Sequence, residues 1–207
     1  EALQYLSQKG YTAFYIAGDV SKDSDCQRII AQTIHQFGQL DGLVTSAGYY
    51  EEELLENTTP QQVERLFAVN VYGTISLCRY AMPHLKKSRG SIVTVSSDAG
   101  LQGNVACSIY GATKGAVVAF TKSLALEAAP HQVRVNCVCP GDVDTPLLEK
   151  QLQEDPSLTR QSLQEQYPLY RLAKPEEIGH SIAFLLSDDA SFITATALSV
   201  DGGLTSW

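Results

Sequence analysis

The feature that most constrains this chain is the alternation of helical and strand-like patterns along its whole length, the arrangement that builds βαβ units around a mostly parallel sheet. Residues about 23–37 set Cys26, Ile30, Ile34 and Phe37 on one helical face, which Gly38 closes. Val63, Phe67, Val71, Ile75 and Cys78 mark a long helix over 60–85 with Pro60 in its first turn, and Asn70 interrupts the apolar stripe. Helices are also expected over 108–129 and 175–186, and the opening EALQYLSQK reads as the end of an amphipathic helix. Strands are expected at Thr12–Ile16, Leu43–Thr45, Ser91–Ser96, Gln132–Val138 and Leu198–Val200. A turn-rich stretch, Cys139–Lys174, carries Pro140, Pro146, Pro156 and Pro168. The fold class is α/β, a doubly wound parallel sheet in a single domain over 1–207, and 207 residues suffice to bury a core.

Composition narrows the partners. Fifteen basic and 23 acidic side chains give a net charge of −8, which repels phosphate backbones and anionic lipid heads, so neither nucleic acid nor a membrane surface is expected. No apolar run approaches the ~20 residues that span a bilayer. The five cysteines include no C-x-x-C pair and the four histidines do not cluster, so no metal site is expected and the thiols suit a reducing, cytoplasmic setting.

Ligands of an open α/β sheet bind beyond the carboxyl ends of its strands, which here are Asp19-Val20, Ser46-Ala47-Gly48, Ser96-Ser97 and Pro140-Gly141. The sharper signal is Tyr110-x-x-x-Lys114 on a predicted helix, where residues four apart share a face. An ammonium about 4–6 Å from a phenol favours phenolate and lowers its pKa, as proton exchange near neutrality requires. Tyr170-x-x-x-Lys174 has the same spacing, but Pro175 disfavours a continuous helix through it. Ser97 stands at a strand end where a hydroxyl can bond a substrate oxygen, and on chemistry alone Ser96 is an equal candidate.

Asp19-Val20, Thr45-Ser46-Ala47-Gly48, Asn70, Ser97, Tyr110-x-x-x-Lys114, Asn136 through Pro140-Gly141 to Thr145, and Val200-Asp201-Gly202-Gly203 together resemble, in order and spacing, the short-chain dehydrogenase/reductase family. The resemblance covers residues 1–207 and implies a Rossmann-like, NAD- or NADP-dependent oxidoreductase that interconverts a secondary alcohol and a ketone. It implies Tyr110 as general acid or base, Lys114 lowering its pKa and bonding the nicotinamide ribose, and Ser97 orienting the substrate oxygen. Asn70 would hold a helix distortion and a water linking Lys114 to solvent. Asp19 and Val20 would contact the adenine, Thr45, Ser46, Ala47 and Gly48 the adenosine ribose, and Pro140, Gly141, Val143 and Thr145 the nicotinamide. Residues 142–170 resemble the family's substrate lid, and Leu147, Leu148, Leu152, Tyr167 and Tyr170 suggest a partly apolar small-molecule substrate. Family members form homo-oligomers, dimers or homotetramers, through helices matching 60–85 and 108–129.

Two departures stand out. The family usually has paired asparagines where this chain has Thr45-Ser46. Its glycine-rich pyrophosphate turn has no counterpart here, because no two glycines are separated by one residue. Roughly 45 N-terminal residues, carrying the first βαβ portion, are expected to be missing by comparison with the family's doubly wound sheet; the chain begins at Glu1 and its only methionine is Met82. The alternative reading is therefore a truncated or inactive member acting as an interaction or assembly module. A hydrolase is disfavoured by the lack of a G-x-S-x-G elbow, and a P-loop nucleoside triphosphatase by the lack of a Gly-Lys step.

Overall fold

The computed structural model describes residues 2–155 and 157–207; Glu1 and Pro156 lie outside the described residues. In chain order the elements are α1 (Ala2–Gln8), α2 (Asp23–Phe37), β1 (Gly42–Thr45), α3 (Pro60–Phe67), a π-helical turn (Ala68–Tyr72), α4 (Gly73–Ser88), β2 (Ser91–Val95) and α5 (Ser108–Ala128). They continue with β3 (Arg134–Pro140), α6 (Pro146–Glu154), α7 (Arg160–Gln164), α8 (Pro175–Leu186) and β4 (Ala197–Val200). All strand pairs are parallel, in the order β1-β2-β3-β4.

Local chemistry sets the boundaries. Gly38 ends α2 in the left-handed conformation, at φ 81°, that its missing Cβ permits. Thr59 and Gln62 form a reciprocal capping box ahead of α3, with Pro60 at the first helical position. The predicted 60–85 helix is present, but it is α-helical, then π, then α again, and Asn70 lies within the π turn. The strand predicted at 132–138 begins and ends two residues later.

The alternation of side chains across β2 and β3 explains the layering. Ile92 and Val135 face Leu77, Cys78, Ala81, Leu85 and Ala125 from α4 and α5, while Val93 and Val138 face Ile178 and Leu185 from α8. Buried polar groups are paired across these layers: Thr94 and Thr121 hydroxyls lie 2.7 Å apart, and the Asn136 amide donates to the Ile193 carbonyl at 2.9 Å. The Arg134 guanidinium donates to the carbonyls of Leu185 (2.6 Å), Ser187 (3.0 Å) and Leu186 (3.2 Å), capping the carboxyl end of α8 and joining it to β3.

Two sequence expectations need correction. Residues 12–16 form no strand. An extended segment becomes a strand only by exchanging ladder hydrogen bonds, and among the described residues these five exchange none. The turn-rich stretch 139–174 also holds two helices: Pro146 and the Thr159–Ser162 capping box start α6 and α7, whose Leu148 and Leu163 pack with Tyr167 and Leu172.

Candidate active site

Because the four strands among the described residues are parallel, their carboxyl ends open on one edge, and most of the predicted site residues assemble there. Ser96 and Ser97 follow β2. The Ser96 hydroxyl donates to the Lys114 carbonyl at 2.8 Å, a structural bond to α5, whereas Ser97 begins the short turn Asp98–Gly100. This separates two serines that sequence alone left equal. Close approach of that turn to α5 depends on two glycines: a Cβ on Gly100 would stand 2.8 Å from the Lys114 carbonyl carbon, and one on Gly111 2.9 Å from the Ala99 oxygen. The Ser97 side chain favours the ionised form of the Tyr110 phenol.

Lys114 shares the α5 face with Tyr110, its Nζ lying 5.6 Å from the phenol ring centroid and donating to the Val95 carbonyl at 3.3 Å. The other Tyr-x-x-x-Lys pair is not helical: Tyr170 has φ 49° and Lys174 is the extended N-cap of α8. Asn70 joins three elements. Its Oδ1 accepts from the Tyr49 amide at 2.7 Å, and its Nδ2 donates to the Tyr49 carbonyl at 2.9 Å and the Thr113 hydroxyl at 3.0 Å. Its backbone carbonyl accepts from the Thr74 hydroxyl at 3.0 Å. The π turn therefore fastens the loop after β1 to α5.

The electrostatics differ from the expected lowering of the tyrosine pKa. Burial raises Tyr110 to about 12; Ser97 lowers it, whereas Asp98, Cys107 and Asp142 raise it. Burial also lowers Lys114, to about 8, and the ammonium still predominates at neutrality. Tyr110 is thus a phenol in this state.

At the end of β1, Ser46, Ala47 and Gly48 are exposed, while Thr45 is buried with a hydroxyl that has no hydrogen-bond partner among the described residues. A Cβ on Gly48 would stand 3.6 Å from Lys114 Nζ and 3.7 Å from Asn70 Oδ1, so these three meet. Asp19 accepts from the Ser21 amide at 3.0 Å and hydroxyl at 2.7 Å, which hold its carboxyl below the usual range. Asp19 and Ser21 face Gln61, Glu64, Arg65, Ala68 and Val69 across an open cleft of about 450 Å³. Val20 packs against Gly73, where a Cβ would come within 2.9 Å of its carbonyl oxygen. At the end of β3, Pro140 is buried; beyond it Gly141, Val143 and Thr145 are half-buried, and Val143 pairs with Ala173.

Sequence reasoning missed the residues that crowd Tyr110. Tyr50 meets its ring edge-on, with centroids 4.7 Å apart, and hydrogen-bonds to Glu52. Cys107 Sγ lies 3.8 Å from the Tyr50 hydroxyl; Tyr167, which the sequence already places in the lid, accepts at its hydroxyl from the Asp142 amide at 2.7 Å. Asp98 and Asp142 directly follow Ser97 and the Pro140-Gly141 pair, a signal available from position alone. Of the apolar lid side chains, Leu148 and Tyr167 are buried in one cluster with Leu152 packed against it, whereas Leu147 and Tyr170 are exposed.

A family model described as enoyl-(acyl carrier protein) reductase matches residues 1–205. L-fucose dehydrogenase of Mus musculus is 41% identical over 201 residues, covering 96% of this chain and 73% of that protein. Among solved structures, ElxO with NADP bound superposes with a TM-score of 0.88 at 34% identity, covering 94% of this chain and 79% of the other. NAD+-bound xylitol dehydrogenase superposes with a TM-score of 0.91 at 28% identity, covering 97% and 82%.

Proposed function

The chain belongs to the short-chain dehydrogenase/reductase family, and on that premise we propose that it interconverts a secondary alcohol and a ketone with NAD or NADP, Tyr110 exchanging the proton. The observation that carries this reading is the placement of Tyr110 and Lys114 on one face of α5, beside Ser97 at the carboxyl edge of the sheet.

In the reducing direction the Tyr110 phenol donates its proton to the carbonyl oxygen, and in oxidation the phenolate takes the hydroxyl proton. The nicotinamide would supply the hydride donor or acceptor. Ser97 orients the substrate oxygen, the Lys114 ammonium stabilises the phenolate, and Asn70 holds the loop after β1 against α5. The residues present fit the two ends of a dinucleotide. Asp19, Val20 and the Thr45–Gly48 segment, with its unpartnered Thr45 hydroxyl, would hold the adenosine. Pro140, Gly141, Val143 and Thr145 would wall the nicotinamide. Residues 142–170 serve as the substrate lid of a single domain.

Ala112, Ala119, Ser123 and Leu126 are exposed along α5, a smooth stripe of small and apolar side chains that supports a homo-oligomer, a homotetramer in our reading. The five free, buried cysteines support a reducing, cytoplasmic setting. The test is turnover of secondary alcohols, followed by the absorbance of reduced nicotinamide, with NAD and NADP compared. Cofactor-dependent turnover lost in Lys114→Ala is the expected result, and turnover insensitive to that change overturns the assignment.

A further inference from the structure

Resting on the reading that Gly141, Val143 and Thr145 wall the nicotinamide, we propose that Tyr167 is a positioning residue that ties the lid to this wall, so that the wall is held in place while the lid helices are seated. The chain leaves the sheet at Pro140, whose register partner is Val200, the last residue of β4. The Gly141 amide makes a final, long bond to the Val200 carbonyl at 3.4 Å, and the ladder stops there. Two later residues take over. The Tyr167 hydroxyl accepts from the Asp142 amide at 2.7 Å. Ala173 then donates to the Asp142 carbonyl at 3.1 Å and accepts from the Asp144 amide at 2.9 Å. The backbone of the wall is therefore placed first by a side chain of the lid, at the point where strand pairing no longer places it.

The choice of side chain supports this role. Tyr167 is 3% exposed and belongs to the apolar cluster of Leu148 from α6, Leu163 from α7 and Leu172. Phenylalanine would pack there without a hydroxyl to bury, and the tyrosine hydroxyl is tolerated because the Asp142 amide bonds to it. The ring is seated as closely as its tip. A Cβ on Gly141 would stand 2.8 Å from the Tyr167 Cε1 and 2.9 Å from the hydroxyl oxygen, and one on Gly202 3.4 Å from Cδ1. Gly141 thus leaves room for the phenol to reach the backbone beside it. A ring pressed between the lid cluster and these two glycines has little freedom, so a shift of α6 and α7 moves the hydroxyl, and the hydroxyl carries the Asp142 amide with it.

Amide exchange resolved by NMR, without cofactor, compares the full chain with its Tyr167→Phe and Leu163→Ala variants. The Asp144 amide is the reporter, because neither change touches its acceptor, the Ala173 carbonyl. The Cys137 amide, bonded to the Thr196 carbonyl beside β4, reports global opening. Exchange at Asp144 should quicken about tenfold or more in Tyr167→Phe, the scale of one buried amide losing its acceptor, with Cys137 unchanged. Leu163→Ala loosens the lid and leaves the tyrosine in place, so it should quicken exchange in α6 and at Asp144 together. The proposal is overturned by an Asp144 amide unprotected in the wild type, by one quickened no more than Cys137 in Tyr167→Phe, or by one at the wild-type rate in Leu163→Ala while α6 exchanges faster. Should Leu163→Ala fail to fold, the Tyr167→Phe arm decides alone. In turnover, Tyr167→Phe should raise KM for NAD or NADP about tenfold with kcat within about threefold, whereas a smaller folded fraction would lower kcat alone and count against the proposal. If no alcohol is turned over, the catalytic reading fails by itself, and amide exchange still decides whether Tyr167 ties the lid to residues 141–145.

Discussion

Replacing Gly100 by Ala tests whether the approach of the Asp98–Gly100 turn to α5 sets the active-site geometry. Gly100 is not in the left-handed region, so alanine suffers no backbone penalty there and any loss is a contact effect. An added Cβ would stand 2.8 Å from the Lys114 carbonyl carbon and 2.9 Å from its oxygen, about 0.5 Å short of ordinary contact. Backbone in the middle of a 21-residue helix cannot yield as a side-chain tip would. The turn must therefore move outward, carrying Ser97 away from Tyr110 by a comparable distance. Overpacking of this kind costs about 1–3 kcal/mol of stability, and misplacement on the 1 Å scale costs about 100-fold in rate. We therefore expect kcat/KM to fall about 30-fold or more, with urea unfolding shifted by about 1–3 kcal/mol. Gly103→Ala is the control, since nothing lies within 4 Å of its added Cβ. A Gly100→Ala enzyme with kcat/KM within twofold of wild type would refute the argument.

Two further outcomes follow from the same contacts. The Asp98 carboxylate raises the Tyr110 pKa, so Asp98→Asn should move the alkaline limb of the pH profile for alcohol oxidation toward lower pH. Ketone reduction, which uses the phenol, should stay flat through neutrality, and an unmoved or alkaline-shifted limb would contradict the electrostatic reading. Arg134→Met removes the donor to the Leu185, Leu186 and Ser187 carbonyls. It should cost about 3 kcal/mol, seen by calorimetry as a melting point lowered by about 6–12 °C; a fall of less than about 2 °C would show that water replaces the arginine without loss.

Much of the architecture is legible in the apolar periodicity of α2, α4 and α5 and in the capping residues Thr59, Pro60 and Gly38, since these report burial and local hydrogen bonding. Thr12–Ile16 misled because strand propensity reports a side chain's fitness for a sheet, while a strand also needs a neighbour to pair with. The helices α6 and α7 hid behind the prolines of 139–174, yet Pro146 stands at a first helical position where its missing N–H costs nothing. In the site, Tyr110 and Lys114 could be read from a four-residue spacing. The packing of Tyr50 against Tyr110 could not, because it joins two segments distant in sequence. The tyrosine's electrostatics were misjudged for a related reason: one cation four residues away was visible, while burial and the acidic neighbours that outweigh it were not.

The most direct test of the central claim is the turnover number of Tyr110→Phe beside Tyr170→Phe, on the same secondary alcohol and cofactor. The two tyrosines have the same spacing to a lysine, but only Tyr110 shares a helix face with its partner. Loss of the proton-exchanging phenol should lower kcat about 100- to 10,000-fold in Tyr110→Phe, with Tyr170→Phe within a few-fold of wild type. Equal turnover in the two variants, or a Tyr110→Phe enzyme as fast as wild type, would contradict the assignment.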